Sequence, residues 1–437
     1  MGLSGTYTGI GLAISMVFDA VSDPVVGSWS DGLKSRWGRR HPFMFFAVVP
    51  LALSFFGLFW PPAGLSEFTL FLWFTVFSIL MRTALSVFQV PYMSLGVELT
   101  QNYEERTSIA LYRYFIGPIA TLAITAIAWN FFFVSSEDNP TPQLTREPYF
   151  AYALLSAIIM MVVMFGAIWG TKEAIPHLAG SDQEGRQFSF RRVYRDLIGS
   201  LTSPPFRALF LSLLVLVIYL GGANSLGLHM QTFFWKLDTQ AIQYWQYAYL
   251  IAGLVSVPLF GPIIRWMDKR GTMIFVYVLT MLALTGPVVL ALLGWLPTDP
   301  AILVPILVTF SFLYGVAAVG TNIVIFSMIG DIADEHELRT GTRQEGVFFG
   351  SMNFIEKCTT AIGFTLAGLA IDFIRLDPQS LPGEVSNATI QQLGMVHAAF
   401  VIFGIVSLLL YLPYNISRKS HVEIVRALEQ KRREEAE

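Results

Sequence analysis

Long apolar segments alternate with short polar ones along nearly the whole chain. Eleven of these segments run for roughly 20 residues or more, the length that an α-helix needs to cross the hydrocarbon core of a bilayer. Charged residues inside them are sparse. The pattern predicts eleven membrane-spanning helices, at 3–27, 42–62, 68–94, 108–134, 149–170, 207–233, 242–266, 273–296, 301–329, 346–375 and 394–416.

The polar stretch at 171–206 divides these helices into five before it and six after it. Each half has a short basic turn with an aspartate, GSWSDGLKSRWGRR in the first and GPIIRWMDKRG in the second. Transporters are often built from two such related halves. We therefore predict an N-terminal bundle at 1–170, a cytoplasmic linker at 171–206, a C-terminal six-helix bundle at 207–416 and a cytoplasmic tail at 417–437. Because two equal halves would need a sixth N-terminal helix, we expect a truncated start that lacks the first helix, with a true eleven-helix protein as the alternative.

The composition agrees with an all-α polytopic membrane protein and argues against a soluble enzyme. Hydrophobic residues make up 54% of the 437 residues and charged ones 14%, whereas soluble domains carry about 25% charged residues. When the loop after the first segment is placed inside and the sides alternate, the external loops keep only Arg146, Lys236 and Arg375. Lys and Arg favour cytoplasmic loops, so the C-terminus is predicted inside and residue 1 outside.

Two aspartates lie within the first apolar segment, where a charge costs at least about 2.5–3.5 kcal/mol. Asp19 and Asp23 are four residues apart, so both carboxylates project from one helix face, with Ser22 beside them. These oxygens suit a cation such as Na⁺, or the pair shares a proton because close like charges oppose double ionisation. A structural alternative places the aspartates at the cytoplasmic helix end, solvated or paired with Arg113 or Lys357.

Several other polar side chains in the apolar segments are candidates for binding a solute. Arg113 offers a planar fork of donors that suits hydroxyl pairs or carboxylates, and neutralisation of the aspartates is a compatible role. Lys357 follows Glu356, and adjacent helical residues do not face each other. Lys357 therefore either faces a cavity or takes part in an internal Lys–Glu pair that holds helices together. The remaining candidates are the amide of Gln89, the phenol of Tyr92 and the imidazole of His229. Packing is the alternative role for Tyr92, and a structural role explains His229 equally well.

Charges elsewhere in the chain raise two further expectations. Arg82 lies inside an apolar segment and needs a partner, which the sequence does not identify. The loops KSRWGRRHP and DIADEHELRTGTRQEG are predicted to form salt bridges that latch the two halves together in one state of a transport cycle. The alternative is that these charges only set the orientation of the chain in the membrane. The predicted latch residues are Arg36, Arg39, Arg40, Asp331, Asp334 and Arg343.

Three stretches resemble signatures of a known family. DAVSDPVVGSWSDGLKSRWGRRHPFM resembles the second-helix signature of the glycoside–pentoside–hexuronide:cation symporters, members of the major facilitator superfamily. VPYMSLGVELTQNYEERTSIALYRYF resembles their fourth-to-fifth helix region, and GDIADEHELRTGTRQEGVFFGSMNFIEK their tenth-to-eleventh helix region. The resemblance implies twelve helices in two six-helix bundles with a substrate cavity between them. Residue 1 then falls at the start of the family's second helix.

The resemblance also implies roles for individual residues. Asp19 and Asp23 match the family's cation-site aspartates, and Ser22 matches a polar position between them. Ser86 falls about where a hydroxyl residue completes the cation site. Arg113 matches a sugar-contacting arginine, and Lys357 matches the lysine of the eleventh helix. The family's melibiose transporter has a carboxylate at the position of Gln89 and a tryptophan at that of Met93, so galactoside specificity does not carry over.

Together these observations predict a secondary active transporter that moves a glycoside, sugar or similar polar solute together with Na⁺ or H⁺. The alternatives are a symporter of lysolipids or other amphipaths with the same fold, and a non-transporting truncated homologue. The chain carries no Walker, dinucleotide-binding or metalloprotease motif, so we expect neither an enzyme nor an organic cofactor. We expect a monomer in a bacterial inner membrane that binds no nucleic acid.

Overall fold

The computed structural model of the protein describes residues 2–33, 35–99, 103–137, 139–175, 199, 201–341, 345–377 and 380–434. The chain forms two compact units, which we call the N-terminal and C-terminal units. The N-terminal unit comprises Met1–Ser189 and Phe364–Glu384, and the C-terminal unit comprises Phe190–Gly363 and Val385–Glu437. Most of the predicted linker at 171–206 lies outside the described residues, and the division of the chain at that linker stays a prediction.

Within the part of the N-terminal unit that the structure describes, there are five long helices: α1 (Gly5–Gly32), α2 (His41–Phe59), α3 (Glu67–Glu98), α4 (Tyr103–Ile127) and α5 (Glu147–Gly170). A π-helical turn, Ala128–Phe132, extends α4, and short 3₁₀ turns at Pro142–Leu144 and Lys172–Ala174 flank α5. The helix α3 packs along both α1 and α2, and α2 also packs on α5. The hydropathy pattern predicts the ends of these five helices to within five residues when the π-helical turn is counted with α4.

Hydrogen bonds to side chains hold the N-terminus of α1 in place. The carboxylate of Asp372 accepts hydrogen bonds from the backbone N–H groups of Gly5 and Thr6, at 2.8 and 2.7 Å. The Ser4 hydroxyl caps the same turn by accepting from the Tyr7 N–H. A carboxylate at this position satisfies donors that have no partner within the helix and interacts favourably with the helix dipole. These contacts fix the start of the helix that carries the predicted cation site.

Among the described residues in the rest of the chain, seven helices follow: α6 (Pro204–Ser225), α7 (Thr239–Leu292), α8 (Pro300–Thr340), α9 (Glu345–Phe373), α10 (Asn387–Ala399), α11 (Val401–Tyr411) and α12 (Arg418–Glu434). Two short helical turns, Gly227–His229 and Met230–Phe234, continue from α6. The helix α9 begins in the C-terminal unit, and its last turns belong to the N-terminal unit. All the described regular structure is helical, which confirms the predicted all-α class.

A break at Asp268 interrupts the 54-residue helix α7, where the backbone adopts φ 64° and ψ 163°. Positive φ is rare for a residue with a side chain. Here the Asp268 carboxylate accepts hydrogen bonds from the backbone N–H of Lys269, at 2.6 Å, and of Arg418, at 2.8 Å. The break separates the spans predicted at 242–266 and 273–296, and these contacts hold it in place.

Nine helices among the described residues are long and apolar enough to cross a membrane. One of them is α7, which contains two predicted spans. The helix α9 covers the predicted span 346–375 and is not among the nine. The protein is thus a multi-pass membrane protein, and the count of eleven spans stays a prediction. The helix α8 runs eleven residues beyond its predicted end at 329, because its polar last turns stay helical up to a left-handed Gly341 at φ 73°.

Candidate functional site

The predicted cation-site residues of α1 and α3 meet inside the N-terminal unit. Asp19 is buried, with 8% of its surface exposed, and its Oδ1 accepts a hydrogen bond from the Ser86 hydroxyl at 3.0 Å. The Ser22 hydroxyl lies 3.2 Å from the Asp19 carbonyl oxygen and 3.4 Å from the Ser86 hydroxyl. Asp23 follows one helical turn later and is half-buried. The structure therefore brings Asp19, Ser22 and Ser86 into one polar cluster, with Asp23 on the adjoining turn.

Arg82 is a charged partner of Asp19 in this cluster. Its Nη1 lies 3.8 Å from Asp19 Oδ2, with 23% and 12% of the two side chains exposed. Its Nε donates to the Ser15 hydroxyl at 3.1 Å, and Ser15 in turn donates to the Leu12 carbonyl at 2.7 Å. Sequence reasoning had left Arg82 without a partner and had proposed Arg113 or Lys357 as possible partners of the aspartates.

A periodicity in the sequence points to this arrangement in retrospect. Ser15, Asp19 and Ser22 recur at intervals of four and three residues on α1, so they share one face. Arg82 and Ser86 are four residues apart on α3 and share a face for the same reason. Five polar residues in two otherwise apolar segments would be costly if they faced lipid. Once α1 and α3 are known to be neighbours, pairing their polar faces selects Arg82 as the partner of Asp19.

Three predicted solute-binding residues belong to the N-terminal unit. The guanidinium carbon of Arg113 lies 5.5 Å from the centre of the Tyr92 ring, which is a cation–π distance. The same guanidinium contacts the Met93 sulfur. Gln89 is exposed and precedes Met93 by one helical turn on α3. The structure thus brings Arg113 and Tyr92 together and places Gln89 on the same stretch of α3.

The C-terminal unit contains a cavity of about 290 Å³. One part of its wall is aliphatic and includes Leu213, Val217 and Leu220 of α6. Polar groups from the four helices α6 to α9 also line it: Asn224, Tyr249, Thr280, Tyr314, Thr321, Asn322, Glu356 and Thr359. The predicted residue Lys357 is not among the lining residues, but its neighbour Glu356 is. The acidic rather than the basic member of this pair therefore faces the cavity.

Hydrogen bonds position the polar groups at the cavity wall. The Asn224 amide donates to the Tyr314 hydroxyl at 2.8 Å, and that hydroxyl lies 3.1 Å from the Asn224 amide oxygen. The Tyr249 and Tyr314 rings pack with centroids 5.3 Å apart. Asn322 donates to the Ala318 carbonyl at 3.0 Å, and its amide carries further donor and acceptor positions. The wall thus offers both an apolar surface and groups that can bind hydroxyls.

His229, the remaining solute-binding candidate, lies in the short turn after α6. Its ring is 6.3 Å from that of Phe233. Its Nδ1 is buried and has no hydrogen-bond partner among the described residues. His229 does not line the cavity described above. Its predicted role in solute binding stays a prediction.

Three of the six residues predicted to latch the two halves, Arg40, Asp331 and Asp334, have a partner within their own unit. Lys269 Nζ lies 2.7 Å from Asp331, and His421 Nε2 lies 3.3 Å from Asp331 and 3.1 Å from Asp334. In the N-terminal unit, Arg40 donates to the Ser30 hydroxyl at 2.6 Å. Arg36 is exposed and Arg39 half-buried, and Arg343 lies outside the described residues. The latch stays a prediction.

A helical bundle with paired carboxylates and arginine inside apolar helices has the make-up of a secondary membrane transporter. The chain belongs to the MFS/sugar transport protein family, whose sequence model matches residues 1–418. A structural comparison agrees on the fold, since a solved structure of the nucleoside transporter NupG superimposes with a TM-score of 0.62. That comparison covers 94% of this chain and 92% of NupG at 14% identity.

Curated relatives of similar length cover nearly all of the chain. The isoprimeverose transporter of Lactiplantibacillus pentosus is 25% identical, over 99% of this chain and 86% of the relative. The glucuronide carrier protein homolog of Escherichia coli (strain K12) is 24% identical, over 97% and 87%. The sodium-dependent lysophosphatidylcholine symporter 1 of Xenopus tropicalis is 25% identical, over 97% and 82%. These relatives are transporters of chemically different solutes.

Proposed function

We propose that this protein is a secondary active symporter that takes up a sugar, glycoside or similar polar solute with Na⁺ or H⁺. The observation that carries the proposal is the cluster of Asp19, Ser22 and Ser86, with Asp23 on the next turn, inside apolar helices. Ionisable residues at such positions are costly and mark ion pathways in transporters. The names of the sugar and glycoside relatives support the same function.

In this proposal the cation acts by changing the charge of the cluster. A ligand shifts a conformational equilibrium only by its differential affinity for the two states. If the empty, negatively charged cluster disfavours the change between outward-facing and inward-facing states, cation binding removes that barrier. The solute and the cation then favour each other's binding, because coupling between two sites is reciprocal.

The solute contacts in this proposal come from residues with hydrogen-bonding and aromatic surfaces. Arg113, Tyr92 and Gln89 provide a charged fork, a ring and an amide in the N-terminal unit. The cavity of the C-terminal unit adds Asn322 and Glu356. We further propose an inner-membrane location, a cytoplasmic C-terminus and a monomeric state, on the charge asymmetry of the loops and the likeness to bacterial symporters.

The test is uphill uptake by the purified full-length protein in liposomes. The panel of solutes is isoprimeverose, methyl β-glucuronide and lysophosphatidylcholine, each with an inward Na⁺ gradient or an inward proton gradient. We expect the wild type to accumulate a sugar of this panel above equilibrium. The Asp23→Asn variant should lose accumulation, because an amide neither carries the negative charge that attracts Na⁺ nor accepts a proton as a carboxylate does.

The matched control is Glu423→Gln, which removes a carboxylate from the exposed surface of α12. This variant should accumulate solute like the wild type. Normal accumulation by a well-folded Asp23→Asn protein would remove the aspartates from the mechanism. A failure of the wild type to accumulate anything under either gradient would instead favour the non-transporting alternative.

A second candidate function is symport of a lysolipid. The aliphatic wall formed by Leu213, Val217 and Leu220 suits an acyl chain, and the Xenopus tropicalis relative is named a lysophosphatidylcholine symporter. The same panel discriminates between the two functions. Uptake of lysophosphatidylcholine in place of the two sugars would select this second function.

A further inference from the structure

The C-terminal unit has a cleft that shares no lining residue with the cavity at Glu356. Its volume is about 780 Å³, within the range of roughly 300–1,000 Å³ that ligand pockets occupy. The residues that line it fall within 234–244 and 291–304, around the two ends of α7 and the start of α8. The charge pattern of the sequence predicts that these connections are external. An uptake transporter receives its solute from that side.

The backbone presents two charged side chains at the rim of this cleft. Lys236 adopts φ 50°, a conformation that is rare for a residue with a side chain and that recurs at ligand-binding sites. The backbone N–H groups of both its neighbours, Trp235 and Leu237, donate to carbonyls of the preceding helical turn, at 2.9 and 3.0 Å. Both neighbours are buried, whereas Lys236 and Asp238 are exposed. The fold therefore holds Lys236 and Asp238 at the surface of the cleft.

The rim carries hydrogen-bonding groups of several kinds. Asp238 caps α7 through Oδ1, which accepts from the Ala241 N–H at 2.7 Å. Among the described residues, Asp238 Oδ2 and the Lys236 ammonium have no hydrogen-bond partner. Gln240 Nε2 donates to the Tyr244 hydroxyl at 2.9 Å, which leaves the amide oxygen as an acceptor and the phenolic proton as a donor. The Tyr244 ring is 47% exposed, so its surface is also accessible to a ligand.

We propose that this cleft is an external docking site for a neutral sugar, which binds here before it enters the transport pathway. The inference rests on the proposed sugar symport and external orientation, and it goes beyond them by assigning a second solute site. A sugar presents hydroxyls that both donate and accept hydrogen bonds, together with C–H surfaces that pack on apolar groups. The rim supplies donors and acceptors, and Leu296, Leu303 and Val304 supply an apolar wall.

The two charges of the rim favour an uncharged solute. Lys236 and Asp238 have opposite charges and are two residues apart in the sequence. An anion attracted by Lys236 would therefore be repelled by Asp238, and a cation would meet the reverse. A hydroxyl can accept from the ammonium and donate to the carboxylate, and hydrogen bonds that involve an ionised group are stronger than neutral ones.

The first experiment measures labelling of an introduced cysteine in the cleft by a membrane-impermeant maleimide. The full-length parent is Cys358→Ser, which removes the single native cysteine. Gln240→Cys should be labelled in intact cells, and isoprimeverose or glucose should slow its labelling in a saturable manner in the purified protein. The matched control is Gln391→Cys on the exposed surface of α10, whose labelling these sugars should not change. Thr298→Cys, on the other segment that lines the cleft, is a second reporter.

The same labelling assay separates docking in the cleft from solute binding elsewhere. Protection of Gln240→Cys should persist when Arg113→Gln is added, because Arg113 belongs to the N-terminal unit. Loss of protection in that variant would overturn the inference, since the effect would then originate at another solute site. Two further results would also overturn it: no protection of either reporter by the two sugars, or protection by dihexanoylphosphatidylcholine in their place, which would assign the cleft to a lipid headgroup.

The second experiment uses Lys236→Asn and Asp238→Asn, which remove one charge each and keep the local backbone. Asparagine tolerates a positive φ and is a good helix cap. Each variant should weaken protection of Gln240→Cys by roughly tenfold, because a hydrogen bond between the sugar and a charged group is lost. In liposomes, each should raise the isoprimeverose concentration for half-maximal uptake and leave the maximal rate unchanged.

Unchanged half-maximal concentrations in both variants would remove the cleft from the transport pathway and overturn the inference, while symport would stand. Absence of uphill accumulation by the wild type, with protection of the reporters intact, would instead overturn symport and leave a sugar-binding cleft.

Discussion

The ion pair between Asp19 and Arg82 makes a prediction about single residues. Breaking a buried pair from one side costs about 3–5 kcal/mol, because it leaves a charge without its partner. Asp19→Asn should therefore destabilise the protein, toward the lower end of that range since both side chains keep some exposure. The double variant Asp19→Asn/Arg82→Ser removes both charges and should recover more than half of the loss. Thermal unfolding in detergent measures both effects.

The control for this double variant is Asp19→Asn/Arg426→Ser. Arg426 is exposed on α12 and far along the chain from the pair, so its removal should recover no stability. Equal recovery in both double variants would mean that Arg82 and Asp19 are not energetically coupled. Non-additivity of this kind is the accepted measure of a direct interaction between two residues.

The same residues show how far sequence reasoning reaches at this scale. Spacing alone predicted that Asp19 and Asp23 share a helix face, because helical periodicity is a local property. The partner of Asp19 comes from another helix, and 63 residues separate Asp19 from Arg82. Which faces of α1 and α3 pack together is a tertiary fact that hydropathy does not encode. The choice between Glu356 and Lys357 at the cavity depends in the same way on the rotation of α9.

At the scale of helices, apolar length predicted most elements, because a segment in lipid must satisfy its own backbone hydrogen bonds and an uninterrupted apolar run of about 20 residues does so as a helix. The ends of α2 and α5 were predicted to within three residues. The polar ends of helices were predicted less well. The extra turns of α8 and the whole of α12 lie in polar sequence, where hydropathy does not distinguish a helix from a loop.

The C-terminal helix α12 offers a prediction at this scale. The side chain of Leu428 on this helix is buried, with 6% of its surface exposed. The ring of His421 lies within hydrogen-bond distance of Asp331 and Asp334 on α8. Hydrogen bonds to charged groups contribute about 1.5–3 kcal/mol. His421→Ala should therefore loosen α12 and speed its amide hydrogen exchange by about tenfold or more.

The control for α12 is Val422→Ala, which shortens a neighbouring side chain that is 44% exposed. It should leave the exchange rates of α12 unchanged, apart from its own amide. Leu428→Ala should loosen the helix like His421→Ala, because it removes buried apolar contacts. If His421→Ala leaves exchange as slow as in the wild type, apolar packing alone holds α12 in place.

For the whole molecule, transport requires that an ion and a solute be recognised by one chain. The proposed ion site belongs to the N-terminal unit, and the cavity with Glu356 belongs to the C-terminal unit. Coupling between them need not pass through a direct contact, because each ligand acts by shifting a shared conformational equilibrium. A change at Glu356 should then alter which solute is taken up and leave the identity of the coupling ion unchanged.

This separation leads to a prediction about solute charge. The Glu356 carboxylate lines a cavity with an aliphatic wall, where repulsion of a second carboxylate is poorly screened. The protein should therefore bind isoprimeverose, a neutral sugar, better than methyl β-glucuronide. Glu356→Gln keeps the shape and removes the charge, so it should improve glucuronide binding relative to isoprimeverose by about tenfold, which corresponds to roughly 1.4 kcal/mol. Competition binding with both sugars measures this ratio.

Glu423→Gln serves again as the matched control, because it removes the same charge from an exposed site in the same unit. It should leave the ratio of the two sugars unchanged and thereby exclude an effect of net charge. Tighter binding of the glucuronide by the wild type would show that Glu356 does not face the solute. In that case Arg113, whose guanidinium attracts carboxylates, would dominate solute selection, and Arg113→Gln rather than Glu356→Gln would change the ratio.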